Sequence, residues 1–122
     1  MTGSERRLLA AVGEGQAELV TQTRSRVDVG RWLIQARVWA VCLPGELALC
    51  AAGKRPFVQR VPWPDLRASL YNQVTGELVL APVAGAQVRR LRLPPLPAGR
   101  ILLHIAKMNT KNREDDRETE HA

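Results

Sequence analysis

Arginine is the residue type in this chain with the most to offer chemically. Fifteen of the eighteen bases are arginine, and the planar guanidinium fork donates two parallel hydrogen bonds to a phosphate or a carboxylate. An anionic partner is the chemistry these residues suit. The plain alternative is that arginines scattered over a surface only keep it soluble. Residues 1–106 hold fourteen bases and seven acids, whereas residues 107–122 hold four bases and five acids. The basic excess belongs entirely to the body of the chain.

Other reactive side chains are few. Cys42 and Cys50 are the only cysteines, too few for a small scaffold held by disulfides. They flank Pro44-Gly45, which suits the two central positions of a type II turn. If two strands fold back symmetrically about that turn, Cys42 lies opposite Leu47 and Cys50 opposite Trp39. The two thiols then sit on opposite faces and stay unbridged. His104 and His121 are the only histidines, with no CxxC or HxxxH spacing, so neither a metal site nor a cofactor is expected. Catalysis requires a nucleophile with a base and an orienting group, or opposed carboxylates, or a metal. The body acids are scattered, His104 falls beside an apolar helical stripe as a core-edge residue, and Gly13-Glu14-Gly15 lacks the Gly-Lys-Ser/Thr of a phosphate loop. The expectation is a non-catalytic protein.

The elements that position these residues follow from periodicity. Ser4 followed by ERRLLAAV reads as a short N-terminal helix with Ser4 as N-cap, closed by Gly13. From Ala17 to Arg24 the period changes to alternation, which favours a first strand. Residues 31–42 place Ile34, Ala36, Val38, Ala40 and Cys42 on one side of a second strand. Residues 47–52 return antiparallel to it, and residues 57–61 form a short fourth strand ending at Pro62. Residues 65–73 fit either a helix capped by Asp65 or a strand in which Leu66, Ala68 and Leu70 alternate with Arg67, Ser69 and Tyr71. The strand is preferred because Thr75-Gly76 then turns the chain into the apolar stretch 77–81. Ala84-Gly85 turns it again into a last strand, 87–93, where Arg90 and Arg92 alternate with Leu91 and Leu93. After Pro94-Pro95, the residues Ala98, Ile101, Leu102, Ile105 and Met108 fall at the spacing of a single apolar helical stripe. Residues 109–122 contain no apolar residue but the last alanine and read as a disordered charged tail. The domain division is a helical extension over 1–15, a β body with its closing helix over 16–108, and the tail. No uncharged apolar run approaches the roughly 20 residues of a membrane-spanning helix, and the start MTGSERR lacks the apolar core of a signal peptide. A soluble, cytoplasmic protein is expected.

Seven strands in succession followed by one amphipathic helix must bend or close to hide their inner face, and the helix can plug an open end. The segments WAVCLPGELALCAAG, then VPWPDL as a corner before the fifth strand, then GELVLAP and the closing helix, resemble the bacterial PH-like domains of the pleckstrin homology superfold over residues 16–108. The chain departs from that family in carrying LPGE at the entry to its third strand and in its N-terminal helix. The resemblance implies a mainly β, partly open antiparallel barrel of about seven strands with a C-terminal amphipathic helix. It also implies a binding module rather than an enzyme, one that contacts proteins or forms oligomers. Members that bind anionic lipid headgroups do so with bases on the loop between the first two strands. Arg24, Arg26 and Arg31 are the corresponding candidates here, joined by Lys54 and Arg55 on a loop that opens at the same end.

The residues themselves add two further candidates. Stretch 57–63 is short, bounded by proline and basic at Arg60, which marks a sheet edge. Such marks are how natural sheets blunt an edge, yet Phe57 and Trp63 on an edge are also the kind of anchor enriched at interface centres. Trp63 between prolines is either a corner plug or an exposed contact, and Trp39 is expected in the core. A protein partner or a second copy of the chain is the leading expectation. The alternative is nucleic acid, for which Trp32 beside Arg31 and Tyr71 beside Arg67 would serve as stacking platforms.

Overall fold

The computed structural model describes residues 1–30, 34–83 and 86–120, with residues 112–120 described by their backbone alone. Helix α1 spans Gly3–Val12. Its N-cap is Thr2 rather than Ser4, because Glu5 lies three residues after Thr2 and completes a capping box. The Glu5 N–H donates to Thr2 Oγ1 at 3.1 Å and the Thr2 N–H to Glu5 Oε1 at 3.0 Å. Gly13 ends the helix, its N–H donating to the Leu9 carbonyl.

The described residues contain seven strands in two antiparallel sheets and no closed barrel. The first sheet runs β1 (Leu19–Asp28), β2 (Gln35–Cys42), β3 (Glu46–Ala51) and β4 (Phe57–Pro62), in sequence order. Cys42 pairs with Leu47 and Trp39 with Cys50, the register that symmetry about Pro44-Gly45 predicts. The turn itself differs from expectation. Gly45 does not take the positive φ that a type II turn demands, and the Leu43 N–H donates to the Glu46 carbonyl across it instead.

β1 is longer than its alternation suggests. Arg26, Val27 and Asp28 still pair with Arg37, Ala36 and Gln35 after an irregularity between Gln22 and Arg26. Buried Thr23 and Val27 keep the inward parity across that irregularity. Arg24 and Arg26 therefore lie on a strand, not on the loop that follows it. Arg31, Trp32 and the start of the expected second strand lie outside the described residues, as does the Ala84-Gly85 turn.

After β4 the chain turns through a 3-10 helix, Trp63–Leu66, before the second sheet of β5 (Leu70–Asn72), β6 (Glu77–Val79) and β7 (Arg90–Arg92). The expected strand over 65–73 is thus a helical turn and a three-residue strand. Pro64 opens the 3-10 helix and Arg67 Nη1 donates to the Pro64 carbonyl, which spends the first half of the segment on a corner. The corner reverses the expected facing: Leu70 is exposed and Tyr71 packs against the core. In the β5–β6 turn, Asn72 Oδ1 accepts from the Val74 and Thr75 N–H groups, and Gly76 supplies a φ of 70°.

Helix α2 spans Pro95–Glu120. Its buried stripe is Ala98, Ile101, His104, Ile105 and Met108, with Leu102 packed at the margin. The described helical backbone continues to Glu120. Asn109 Nδ2 donates to the Trp63 carbonyl at 3.1 Å and to the Ile105 carbonyl at 2.9 Å, which ties the helix down where its apolar stripe ends.

The main core lies between the two sheets and α2. Trp63 is its largest fully buried side chain, with Nε1 donating to the Leu43 carbonyl at 2.9 Å. Trp39 occupies the opposite face, half-buried in a second cluster where α1 lays Leu9 and Val12 over Val41, Ala48 and Cys50. Of the two described tryptophans, the interior one is therefore Trp63, not Trp39. Its parity decides this, because Val38, Ala40 and Cys42 take the inward positions of β2. Covering both faces of β3 explains why 47–51 is apolar without alternation.

Candidate binding site: an arginine groove between the sheets

The two sheets meet at two open seams, and a single polar side chain bridges each. At one seam Ser25 Oγ receives the Arg92 N–H at 2.8 Å and donates to the Arg90 carbonyl at 3.4 Å. At the other, Gln59 on the edge strand β4 exchanges two hydrogen bonds, each 2.9 Å, with the Val88 backbone. These side chains stand in for the backbone pairing that a closed barrel would have.

A groove of about 790 Å3 lies along the Ser25 seam. Strand alternation turns Thr23, Ser25 and Val27 inward, so Arg24, Arg26 and Asp28 line the groove from β1. On β7, buried Leu91 leaves Arg90 and Arg92 on the same outer face, and Arg89 precedes them. Glu77 contributes from β6. Five arginines thus face one groove with two carboxylates. Among the described residues only Arg90 has an ion-pair partner here, Glu77 at 3.8 Å, while Asp28 accepts a hydrogen bond from Gln35. Arg24, Arg26, Arg89 and Arg92 are exposed, and apart from Arg89 Nε, which donates to the Ala86 carbonyl at 3.4 Å, their side-chain donors face solvent. A second cleft of about 400 Å3 lies beneath α1, and one of about 600 Å3 adjoins the groove itself. The latter shares Arg24 and Arg92 and extends past Tyr71 to Pro94 and Pro95.

Arg31 lies outside the described residues, and the other site residues expected from sequence divide into three groups. Arg24 and Arg26 are brought together with Arg89, Arg90 and Arg92. Lys54 and Arg55 are exposed on the β3–β4 loop, where the Arg55 N–H donates to the Val29 carbonyl at 2.8 Å. That loop meets the end of β1 as expected but takes no part in the groove. Phe57 packs half-buried against the main core. Trp63 is 1% exposed, so of the two roles open to it the structure selects the corner plug, and it cannot serve as a surface contact. Sequence reasoning missed the arginines of β7 as site residues. The alternation of 90–93 was the signal, since it puts both arginines on one face, but their neighbour across the seam is 65 residues away.

The remaining reactive groups are buried. Both cysteines are free, and burial pushes the Cys42 thiol up to about 12 and the Cys50 thiol up to about 11. His104 lies at the core edge, its Nδ1 3.1 Å from Glu18 Oε2 and its ring edge-on to Trp63 at 4.7 Å. Its Nε2 has no hydrogen-bond partner among the described residues. No group of three or more potential metal ligands occurs among the described residues, and no helix among them is long and apolar enough to cross a membrane. No protein-family model, curated protein or solved structure matches the chain.

Proposed function

We propose that the chain is a non-catalytic, PH-like binding module that engages an acidic segment of a protein partner through the arginine groove. The observation that carries this reading is the convergence of Arg24, Arg26, Arg89, Arg90 and Arg92 on one surface with only Asp28 and Glu77 beside them. A sheet of four strands, a sheet of three and a C-terminal helix that shares their core support the PH-like architecture. The two interspersed carboxylates favour a peptide over a polyphosphate, because a peptide presents backbone donors as well as acids, whereas a chain of phosphates meets each carboxylate as a like charge.

The basic excess of the body favours nucleic acid as a second reading. Fluorescence anisotropy with a labelled ten-residue polyglutamate and a labelled oligothymidylate of equal length separates the two. The protein reading predicts polyglutamate binding that is lost in the Arg24→Glu, Arg26→Glu double variant. Oligonucleotide binding that is tighter than polyglutamate binding at moderate salt, and that falls steeply as salt rises, would replace it with the nucleic-acid reading. Retention on anionic vesicles but not by polyglutamate would assign the groove to lipid headgroups instead.

A further inference from the structure

The chain carries a segment whose charge complements the groove. Residues 113–120, Arg-Glu-Asp-Asp-Arg-Glu-Thr-Glu, hold five acids against two arginines. The groove holds five arginines against two acids. Resting on the reading of the groove as a protein-binding surface, we propose that the arginine groove of one molecule receives the acidic stretch 113–120 of a second copy of the same chain.

Topology assigns this contact to a second molecule. The cleft that continues the groove ends at Pro94 and Pro95, where α2 begins. α2 then runs unbroken for 26 residues, about 39 Å at the rise of an α-helix. Residues 113–120 and the cleft that adjoins the groove therefore lie at opposite ends of α2. Bringing them together within one molecule would require breaking α2, whose middle is fixed by Ile101, Ile105, Met108 and the Asn109 hydrogen bonds. A second molecule meets the groove without that cost. Each molecule carries one groove and one acidic stretch, so two copies can exchange them reciprocally and close a symmetric dimer. The backbone of residues 113–120 is already helical, which lowers the ordering cost of the contact.

Full-length charge-swap variants test the proposal by sedimentation velocity at about 20 mM and about 300 mM salt, which span a large change in screening length. The groove variant is Arg24→Glu, Arg26→Glu, and the helix variant is Glu114→Lys, Asp115→Lys, Glu118→Lys. The proposal predicts that the wild type associates at low salt, with a dissociation constant at least about tenfold weaker at high salt. Each variant alone sediments as a monomer, and an equimolar mixture of the two associates, because each supplies the surface the other has reversed. Thermal melts establish that the variants fold, and Arg92→Ser replaces the groove variant if it does not. A wild type that is monomeric at low salt, an association untouched by the helix variant, or a mixture that stays monomeric would each overturn the proposal. Polyglutamate binding to the same wild-type sample distinguishes the levels of failure: if it persists without self-association only this inference falls, and if it is absent the proposed function falls with it.

Discussion

Replacing Trp63 with alanine removes the side chain on which three parts of the molecule converge. The ring is buried between the sheets, packs edge-on against His104 of α2, and donates its only N–H to the Leu43 carbonyl at the β2–β3 turn. Truncation deletes the largest fully buried side chain and leaves a cavity, which costs about 3–5 kcal/mol for a tryptophan in a packed core. A domain of this size has roughly 5–15 kcal/mol in total. Trp63→Ala should therefore lose a fifth or more of the stability. Trp63→Phe separates the two contributions. It keeps most of the ring but strands the Leu43 carbonyl, and should cost about 1–3 kcal/mol. Urea melts followed by far-UV circular dichroism measure both without depending on the fluorescence of the deleted residue. A loss under about 1 kcal/mol for Trp63→Ala, the scale of an ordinary surface change, would refute the placement of Trp63 in the core and return it to the surface as a contact residue.

Three further outcomes follow from the packing and the charges. Gly53→Ala should cost about 1–3 kcal/mol, because a Cβ there would lie 2.7 Å from the Val29 carbonyl oxygen and closer still to its side chain; a melt unchanged from wild type would mean that the β3–β4 loop does not rest on β1. The hydrogen bonds that Glu5 accepts, first from the Thr2 backbone and then from Trp39, hold its carboxyl below the usual 4.5. The stability Glu5 contributes is thus complete above pH 4.5 and lost as pH falls through its lower folded value, so wild type and Glu5→Gln should differ most near neutrality and converge in acid; a constant difference at every pH would contradict the pairing. The raised thiols of Cys42 and Cys50 stay protonated at neutral pH, so a thiol reagent should label the native protein slowly and both cysteines promptly after unfolding. Immediate labelling of the native state would show that these strands open.

The sequence made legible whatever depended on local period and parity. Alternation placed Cys42 and Cys50 on opposite faces, and the apolar stripe of α2 named Ile101 and Ile105 as buried before any partner surface was known. The errors lie where tertiary contacts override local preference. Arg26 alone gives no reason to extend β1, whereas its pairing with Arg37 does. Leu70 reads as an inward residue, but the corner at Pro62 and Pro64 resets the facing of the strand behind it. Trp63 between prolines fits a corner plug or an exposed contact, and only the contacts with Asn109 and Leu43 decide for the plug. The groove was half legible. Arg24 and Arg26 stood out by type, whereas their assembly with Arg89, Arg90 and Arg92 depends on a seam between β1 and β7 that no local pattern encodes.

The point at which an acidic ligand touches the molecule tests the arginine groove most directly. Backbone amide chemical shifts recorded while a ten-residue polyglutamate is titrated into the full-length protein give that location residue by residue. The arginine groove predicts that the shifts concentrate on residues 24–28 and 89–92, with Ser25 at their centre and the β3–β4 loop unmoved. Shifts confined to Lys54 and Arg55, or an unchanged spectrum at low salt, would contradict it.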